Sequence, residues 1–380
     1  MKNMPSKLWT KNFILLCIIN FLLFFSFQLF PVAIPPYLKS LGASEDILGY
    51  AQLLMTVALI ITRPLIGVVI DRNTHKGIFI YSTILFILVM IAYQFSPIIA
   101  GVFIIRFFHG VSWGMVNTTC STVVADNIAK ERFGEGMGFF SLATSIAMAI
   151  GPAIALSQSM SNNILFGVIS SALALCLIPL IKYNEVPKIE GKQKIELYAK
   201  ESYAPSIVIG LIMVSYGAIM TFLAIYAQTK GITNVGLFFS FYAISMLLTR
   251  PYLGRLVDRV SYSLVVYLGI VLIPLSLIIL VLSNSMFLYL TSAVLYGVGI
   301  GGAQTSLQTL AILNAPAHKR GSANATFFTG FDIGIGLGGV LAGYIVTYSN
   351  YDTMFLVMTL FVVAAGILFY KFNKEGKMKQ

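Results

Sequence analysis

Arg106, His109 and Asp332 stand deep inside long apolar runs of this 380-residue chain. An ionised group in such surroundings is costly, so each must face a polar cavity, pair with an opposite charge, or exchange a proton. Asp332 follows Arg320 within TFFTGFDIGIGLGG, which places it roughly 15 Å along a helix rising ~1.5 Å per residue. A carboxylate there either binds a proton or a substrate cation, or makes a fixed helix-packing contact. Arg106, His109, Trp113 and Asn117 recur at spacings of three and four, so they form one stripe on one helix face. Lipid would not accept that stripe, and it should line the interior. His109 can titrate near neutral pH, although a lone histidine is more often a structural hydrogen-bonder. The chemistry on offer is therefore proton handling. No Walker loop, G-x-S-x-G or H-E-x-x-H occurs. Cys17, Cys120 and Cys176 show no paired spacing, so neither a metal site nor a disulfide frame is supported. The expectation is a non-enzyme without metal or cofactor.

The elements that must hold these residues are long and apolar. The chain is 58% hydrophobic and 10% charged, against about 25% charged in a soluble protein. Each apolar run is long enough to cross a bilayer, which takes roughly 20 helical residues. The runs are 13–38, 47–70, 78–95, 98–124, 136–157, 164–182, 204–229, 236–256, 264–283, 286–312, 322–347 and 353–370. With no alternating barrel pattern, these are helices, and the fold expected is an all-α membrane protein of twelve transmembrane helices. The first run is too long for a signal h-region and is read as a retained helix. Placing the N-terminus inside leaves only Lys39 and Lys230 in outer loops, so both termini should be cytoplasmic. The net charge of +11 is thus a topology signal and not a nucleic-acid patch. The composition fits a multi-pass protein of a bacterial plasma membrane, and the lipid bilayer and protons are the partners expected. A monomer is expected. The longest polar stretch, 183–203, reads as a cytoplasmic linker between an N-terminal six-helix bundle (1–182) and a C-terminal one (204–380).

The two halves repeat each other. Thr62-Arg63-Pro64 with Gly67, Asp71 and Arg72 recurs as Thr249-Arg250-Pro251 with Gly254, Asp258 and Arg259, at one constant offset. The same offset maps Gly110 onto Gly297 and Gly151 onto Gly338. An even number of crossings per half makes the halves parallel, a plan used by secondary transporters that bind substrate near the midplane.

The segment Gly67-Val-Val-Ile-Asp71-Arg72-Asn73-Thr74-His75-Lys76 resembles the G-x-x-x-D-R-x-G-R-K motif of the major facilitator superfamily. Arg106-Phe-Phe-His109-Gly110 is similar to its R-x-x-Q-G, and Ala147-x-x-x-Gly151-Pro152 to the antiporter element G-x-x-x-G-P. Within the superfamily the chain resembles drug:proton antiporters and sugar or metabolite exporters. Thr74, His75, His109 and Ala147 depart from these patterns. The resemblance implies the major facilitator fold, with proton coupling at Arg106. It also implies a conformational latch of charge contacts at Asp71-Arg72, Asp258-Arg259, Arg63 and Arg250. Plain positive-inside anchoring would place the arginines in the same positions.

Pro31, Pro35 and Pro36 should bend or break the first helix, and Gly151-Pro152 should form a hinge in the fifth. Gln28, Tyr216, Tyr226, Tyr242, Gln304 and Gln308 are candidate cavity residues beside Trp113 and Asn117, although each could equally serve helix packing. Two functions follow from this pattern, proton-coupled efflux of a small organic compound or proton-coupled import of a small nutrient. A non-transporting membrane sensor fits less well, because no signalling domain is visible in the sequence.

Overall fold

The computed structural model describes residues 8–72, 75–128, 132–183, 198–259, 261–316, 320–376 and 378. Among them are twelve α-helices and no strand. They are α1 (Lys11–Ser40), α2 (Glu45–Arg72), α3 (His75–Ala92), α4 (Ile99–Asn127), α5 (Phe133–Ser157), α6 (Met160–Leu177), α7 (Tyr203–Thr229), α8 (Gly236–Arg259), α9 (Tyr262–Leu282), α10 (Met286–Asn314), α11 (Arg320–Tyr348) and α12 (Tyr351–Lys374). Ten segments are long and apolar enough to cross a bilayer, while Leu142–Ser157 in α5 and Gly236–Thr249 in α8 are shorter apolar stretches. The large apolar residues left exposed, such as Leu65, Val271, Leu360 and Ile367, are what lipid-facing positions require.

Residues 184–197 of the expected linker lie outside the described residues. The chain re-enters through a short 3-10 turn at Lys200–Ser202 and passes directly into α7. Of the bend or break expected in the first helix, the break does not occur. α1 is assigned as one helix through Pro31, Pro35 and Pro36, and α5 likewise continues through Pro152. Each proline removes one N–H from the ladder, and the bonds on either side carry the helix onward.

Two compact units form. The first comprises Met1–Ala33 and Ala58–Lys192, the second Ile34–Val57 and Gln193–Gln380. In the first unit α3 packs between α4 and α6, and Ser26 of α1 donates to the Gly167 carbonyl of α6 at 2.9 Å. Gly151 lies against α1, where an added Cβ would stand 2.7 Å from Gln28 Cβ.

The second unit is organised by small residues. α7 and α11 meet backbone to backbone. A Cβ on Gly334 would fall 2.1 Å from the Gly210 carbonyl oxygen, and one on Gly338 2.1 Å from that of Val214. Such approach needs glycine and adds dispersion contacts where lipid gives no hydrophobic drive between helices. A second face of α11 receives the start of α2, with Gly336 against Thr56, Gly339 against Gln52 and Gly343 against the Glu45 carbonyl. That seating explains why Ile34–Val57 clusters with the second unit. It is fastened by a hydrogen bond between the Tyr50 and Tyr344 hydroxyls, by Tyr351 donating to Glu45 at 2.9 Å, and by the Lys39–Glu45 ion pair.

Gly67 differs, because a Cβ there would meet nothing within 4 Å. Gly334→Ala should therefore lower unfolding stability in detergent by about 1–3 kcal/mol, as overpacking does. Gly67→Ala should leave stability unchanged or raise it by up to about 1 kcal/mol through helix propensity. Thermal unfolding of the two purified variants checks both. A Gly67→Ala loss as large as that of Gly334→Ala would mean that the open space around Gly67 is wrongly described.

Candidate functional site

The expected stripe on α4 is buried as its spacing requires. Arg106 is 1% exposed, His109 0% and Trp113 3%, and Asn117 is half-buried. α4 can hold them because Gly114 lets Thr62 of α2 approach to 3.2 Å of where its Cβ would be. Around His109 stand Phe30 at 5.0 Å, Phe86 at 5.4 Å and Phe27 at 6.0 Å between ring centroids. Trp113 stacks on Phe27 at 4.1 Å and 8°, with Phe24 edge-on at 4.8 Å.

The polar member of this cluster that has no counterpart in the sequence reading is Tyr93. Tyr93 lies in the 3-10 turn that ends α3, Tyr93–Phe95. Its hydroxyl is 3.2 Å from His109 Nδ1 and hydrogen-bonds the Arg106 guanidinium. A guanidinium can only donate, so the Tyr93 oxygen accepts from Arg106 and its proton goes to Nδ1. That assignment puts the remaining imidazole hydrogen on Nε2, an atom that is buried without a hydrogen-bond partner. Protonation of Nδ1 would turn His109 into a second donor competing for the same tyrosine oxygen. The three side chains therefore form one linked unit.

Asp332 is buried, at 9% exposure. It stands on the face of α11 that carries Gly336, Gly339 and Gly343, away from the face against α7. Tyr216 and Tyr242 are both buried and hydrogen-bonded to each other, with ring centroids 5.8 Å apart. Tyr296 of α10 joins them, 5.9 Å from Tyr242 between centroids, its hydroxyl 2.8 Å from Ser215 Oγ. Tyr296 immediately precedes a repeated glycine, and its place in that repeat is the signal that could have found it.

Gln308 donates to Asn324 Oδ1 at 2.9 Å, joining α10 to α11, while Gln304 is half-buried. Gln28 is buried beneath Gly151. Tyr226 lies near the end of α7, where its hydroxyl bonds Asp352 and Lys230 lies 4.9 Å over its ring. Of the latch, Arg63 is half-buried. The side chains of Asp71, Arg72, Arg250, Asp258 and Arg259, and the surroundings of Gly254, lie outside the described residues. Beside them the structure adds a pair that the motif did not indicate, His75 at the start of α3 and Asp126 near the end of α4, 3.3 Å apart. No cluster of three metal-ligating side chains occurs among the described residues.

Tyr93→Phe deletes the hydroxyl shared by Arg106 and His109. It should cost about 1.5–3 kcal/mol of stability, the worth of a hydrogen bond to a charged group, measurable by thermal unfolding of the purified chain. A stability equal to wild type would mean that Arg106 is held by its other contacts alone.

The profile of the Major Facilitator Superfamily matches residues 16–325 and 206–380. An uncharacterized MFS-type transporter of Methanocaldococcus jannaschii is 25% identical over 88% of this chain and 91% of its own length. The staphylopine export protein of Staphylococcus aureus is 23% identical over 94% of both chains. The multidrug resistance protein MdtG of Escherichia coli is 24% identical over 97% of this chain and 94% of its own. In fold the chain is similar to the nucleoside transporter NupG (D323A mutant), with a TM-score of 0.80 at 15% identity, covering 95% of this chain and 99% of that one. It is also similar to a bacterial homologue of the human lysosomal transporter Spinster, with a TM-score of 0.77 at 11% identity, covering 99% and 100%. An all-helical chain with charge buried in its apolar helices, matched by one family profile along nearly its whole length, belongs to the Major Facilitator Superfamily of membrane transporters.

Proposed function

We propose that the chain is a secondary active transporter working by alternating access, which exports a small organic compound in exchange for protons. Both termini face the cytoplasm of a bacterial plasma membrane, and the working unit is a monomer of two six-helix bundles. The observation that carries the reading is the Arg106–Tyr93–His109 unit, a cation and a titratable ring sharing one hydroxyl inside an apolar helix layer. Burial at that expense is the mark of a functional ion site in a membrane protein. Asp332 is the acidic partner in the coupling, and it takes up a proton when its surroundings dry. Asp71-Arg72 and Arg63, with Asp258-Arg259 and Arg250, act as the latch that differs between access states. Gly151-Pro152 is the α5 hinge. Tyr216 and Tyr242 offer hydroxyls and ring faces to an organic solute, as do Trp113 and Asn117. Export is favoured because relatives aligned over nearly the whole chain include an export protein and a multidrug resistance protein.

Ala147, standing where the antiporter element has a glycine, also suits an importer of a small nutrient. One experiment separates the readings. In inside-out vesicles with an imposed pH gradient, cationic dyes should dissipate the gradient while accumulating inside. Nutrient sugars preloaded in the vesicles that leave together with protons instead would reverse the direction, and a gradient unmoved by either class would end the proton-antiport reading. Asp332→Asn should bind substrate but abolish the proton flux that accompanies it. Unaltered coupling in that variant would remove Asp332 from the mechanism.

A further inference from the structure

We propose that the groove between α9 and α12 is a binding site for one anionic phospholipid. Its acyl chain would lie between the helices and its headgroup at Lys371 and Lys374. The groove has a volume of about 550 Å³, within the ~300–1,000 Å³ typical of sites that hold an organic molecule. Its wall is apolar on both sides, Val271 and Pro274 from α9 and Val363 and Ile367 from α12. Two features open it. Pro274 lies inside α9. Gly366 supplies no side chain where a Cβ would stand 2.8 Å from Ile270.

The groove has one polar end. Tyr267 and Tyr370 line it there, and Asn373 donates to Ser263 at 3.2 Å just beyond, tying the last turn of α12 to the first of α9. The face of α12 that presents Val363, Ile367 and Tyr370 continues to Lys374 at helical spacing, with Lys371 one turn from Ile367. Both lysines are exposed. Glu375 follows them and makes a contact of its own, and the sequence goes on with Lys377 and Lys379.

Length identifies the occupant. From Tyr267 to Pro274 the wall runs about 10 Å at ~1.5 Å per residue, which fits within a single leaflet of about 15 Å, half the hydrocarbon core. A slot of one-leaflet depth, apolar within and cationic at its mouth, matches one chain and one anionic headgroup. Lysines beside a bilayer attract anionic lipid in this way. A second protein copy packed in the same orientation would bring its own Lys371 and Lys374 to the same end, like charge against like charge.

Native mass spectrometry of the detergent-purified full chain tests this with phosphatidylglycerol and phosphatidylcholine at equal concentration. Wild type should retain phosphatidylglycerol roughly thirtyfold better, the preference expected from two lysines at about 1 kcal/mol each. Lys371→Gln with Lys374→Gln should remove that preference. Val271→Trp, from a side chain 65% exposed, should fill the slot and remove binding. Leu282→Trp, equally exposed on the same helix but outside the groove, should change nothing. Equal retention of the two lipids by wild type, or unchanged phosphatidylglycerol binding in the variants, overturns the proposal. So does competition by inorganic phosphate or dihexanoyl phosphatidylglycerol as strong as by the long-chain lipid. Loss of a dimer in Val271→Trp, with lipid retained, assigns the groove to a second copy and overturns it too. If Val271→Trp fails to fold, the lysine pair decides. The readout involves no transport, so its failure and that of the proton-antiport reading are separate events.

Discussion

A guanidinium that cannot reach water sets the terms for the first unit. Placing arginine at the centre of a membrane helix costs about 3 kcal/mol on insertion scales, and a hydrogen bond to a charged group returns about 1.5–3. Those magnitudes are comparable, so the polar contacts of Arg106 are a condition of burying it. Tyr93 makes one of them. To do so, α3 must give way to a 3-10 turn at Tyr93–Phe95. The aromatic shell follows from the same need. Rings of Phe27, Phe30 and Phe86 exclude water around His109, which strengthens each electrostatic contact inside. The proton on the tyrosine serves the histidine only while the tyrosine oxygen serves the arginine. Any change of charge at His109 is therefore felt at Arg106.

The second unit answers a different constraint. In lipid there is no hydrophobic gain from bringing two apolar helices together, so contact must come from close packing. α11 satisfies this on two faces at once. Gly334 and Gly338 meet α7, while Gly336, Gly339 and Gly343 meet the start of α2. A helix with glycine on both faces binds its neighbours by shape and carries few side-chain interlocks that would resist sliding. The firmer fastenings of the Ile34–Val57 segment are polar ones at the end of the helix, Tyr50 with Tyr344 and Glu45 with Lys39 and Tyr351.

The helices were legible because length and hydropathy are local properties. Each expected run overlaps an observed helix, and the helices extend a few residues beyond most runs because their polar last turns carry no hydropathy signal. The α4 stripe was legible for the same kind of reason, since a spacing of three and four is fixed by helix geometry. Tyr93 was not, because it comes from another helix and from a non-helical turn, where periodicity says nothing. The His75–Asp126 contact was hidden in the same way, as a pairing between segments far apart in sequence. The contact of Tyr226 with Asp352 was hidden as well, because an aromatic near a helix end looks the same in sequence whatever it bonds. The proline-rich end of α1 stays helical because the bonds on either side of each proline carry the helix past it.

The internal repeat shows where the two units diverge. At the offset that carries Thr62 onto Thr249, His109 falls on Tyr296, Gln28 on Ser215 and Arg106 on Ala293. Both units thus place a polar aromatic group at the same point of the repeat, one turn from the site of Arg106 in the first and of Ala293 in the second. In the first unit that group is tied to a cation through Tyr93. In the second it is tied to neutral hydroxyls, Ser215 directly and the Tyr216–Tyr242 pair beside it. Asp332 falls on Ser145 in the opposite sense, also buried. A neutral cluster can change partners by rotating hydroxyls at little electrostatic expense, whereas a buried cation cannot move without carrying its hydrogen bonds along. The duplicated scaffold therefore holds two chemically different interiors. The positive charge fixed in one and the carboxylate fixed in the other are the features that duplication alone would not have supplied.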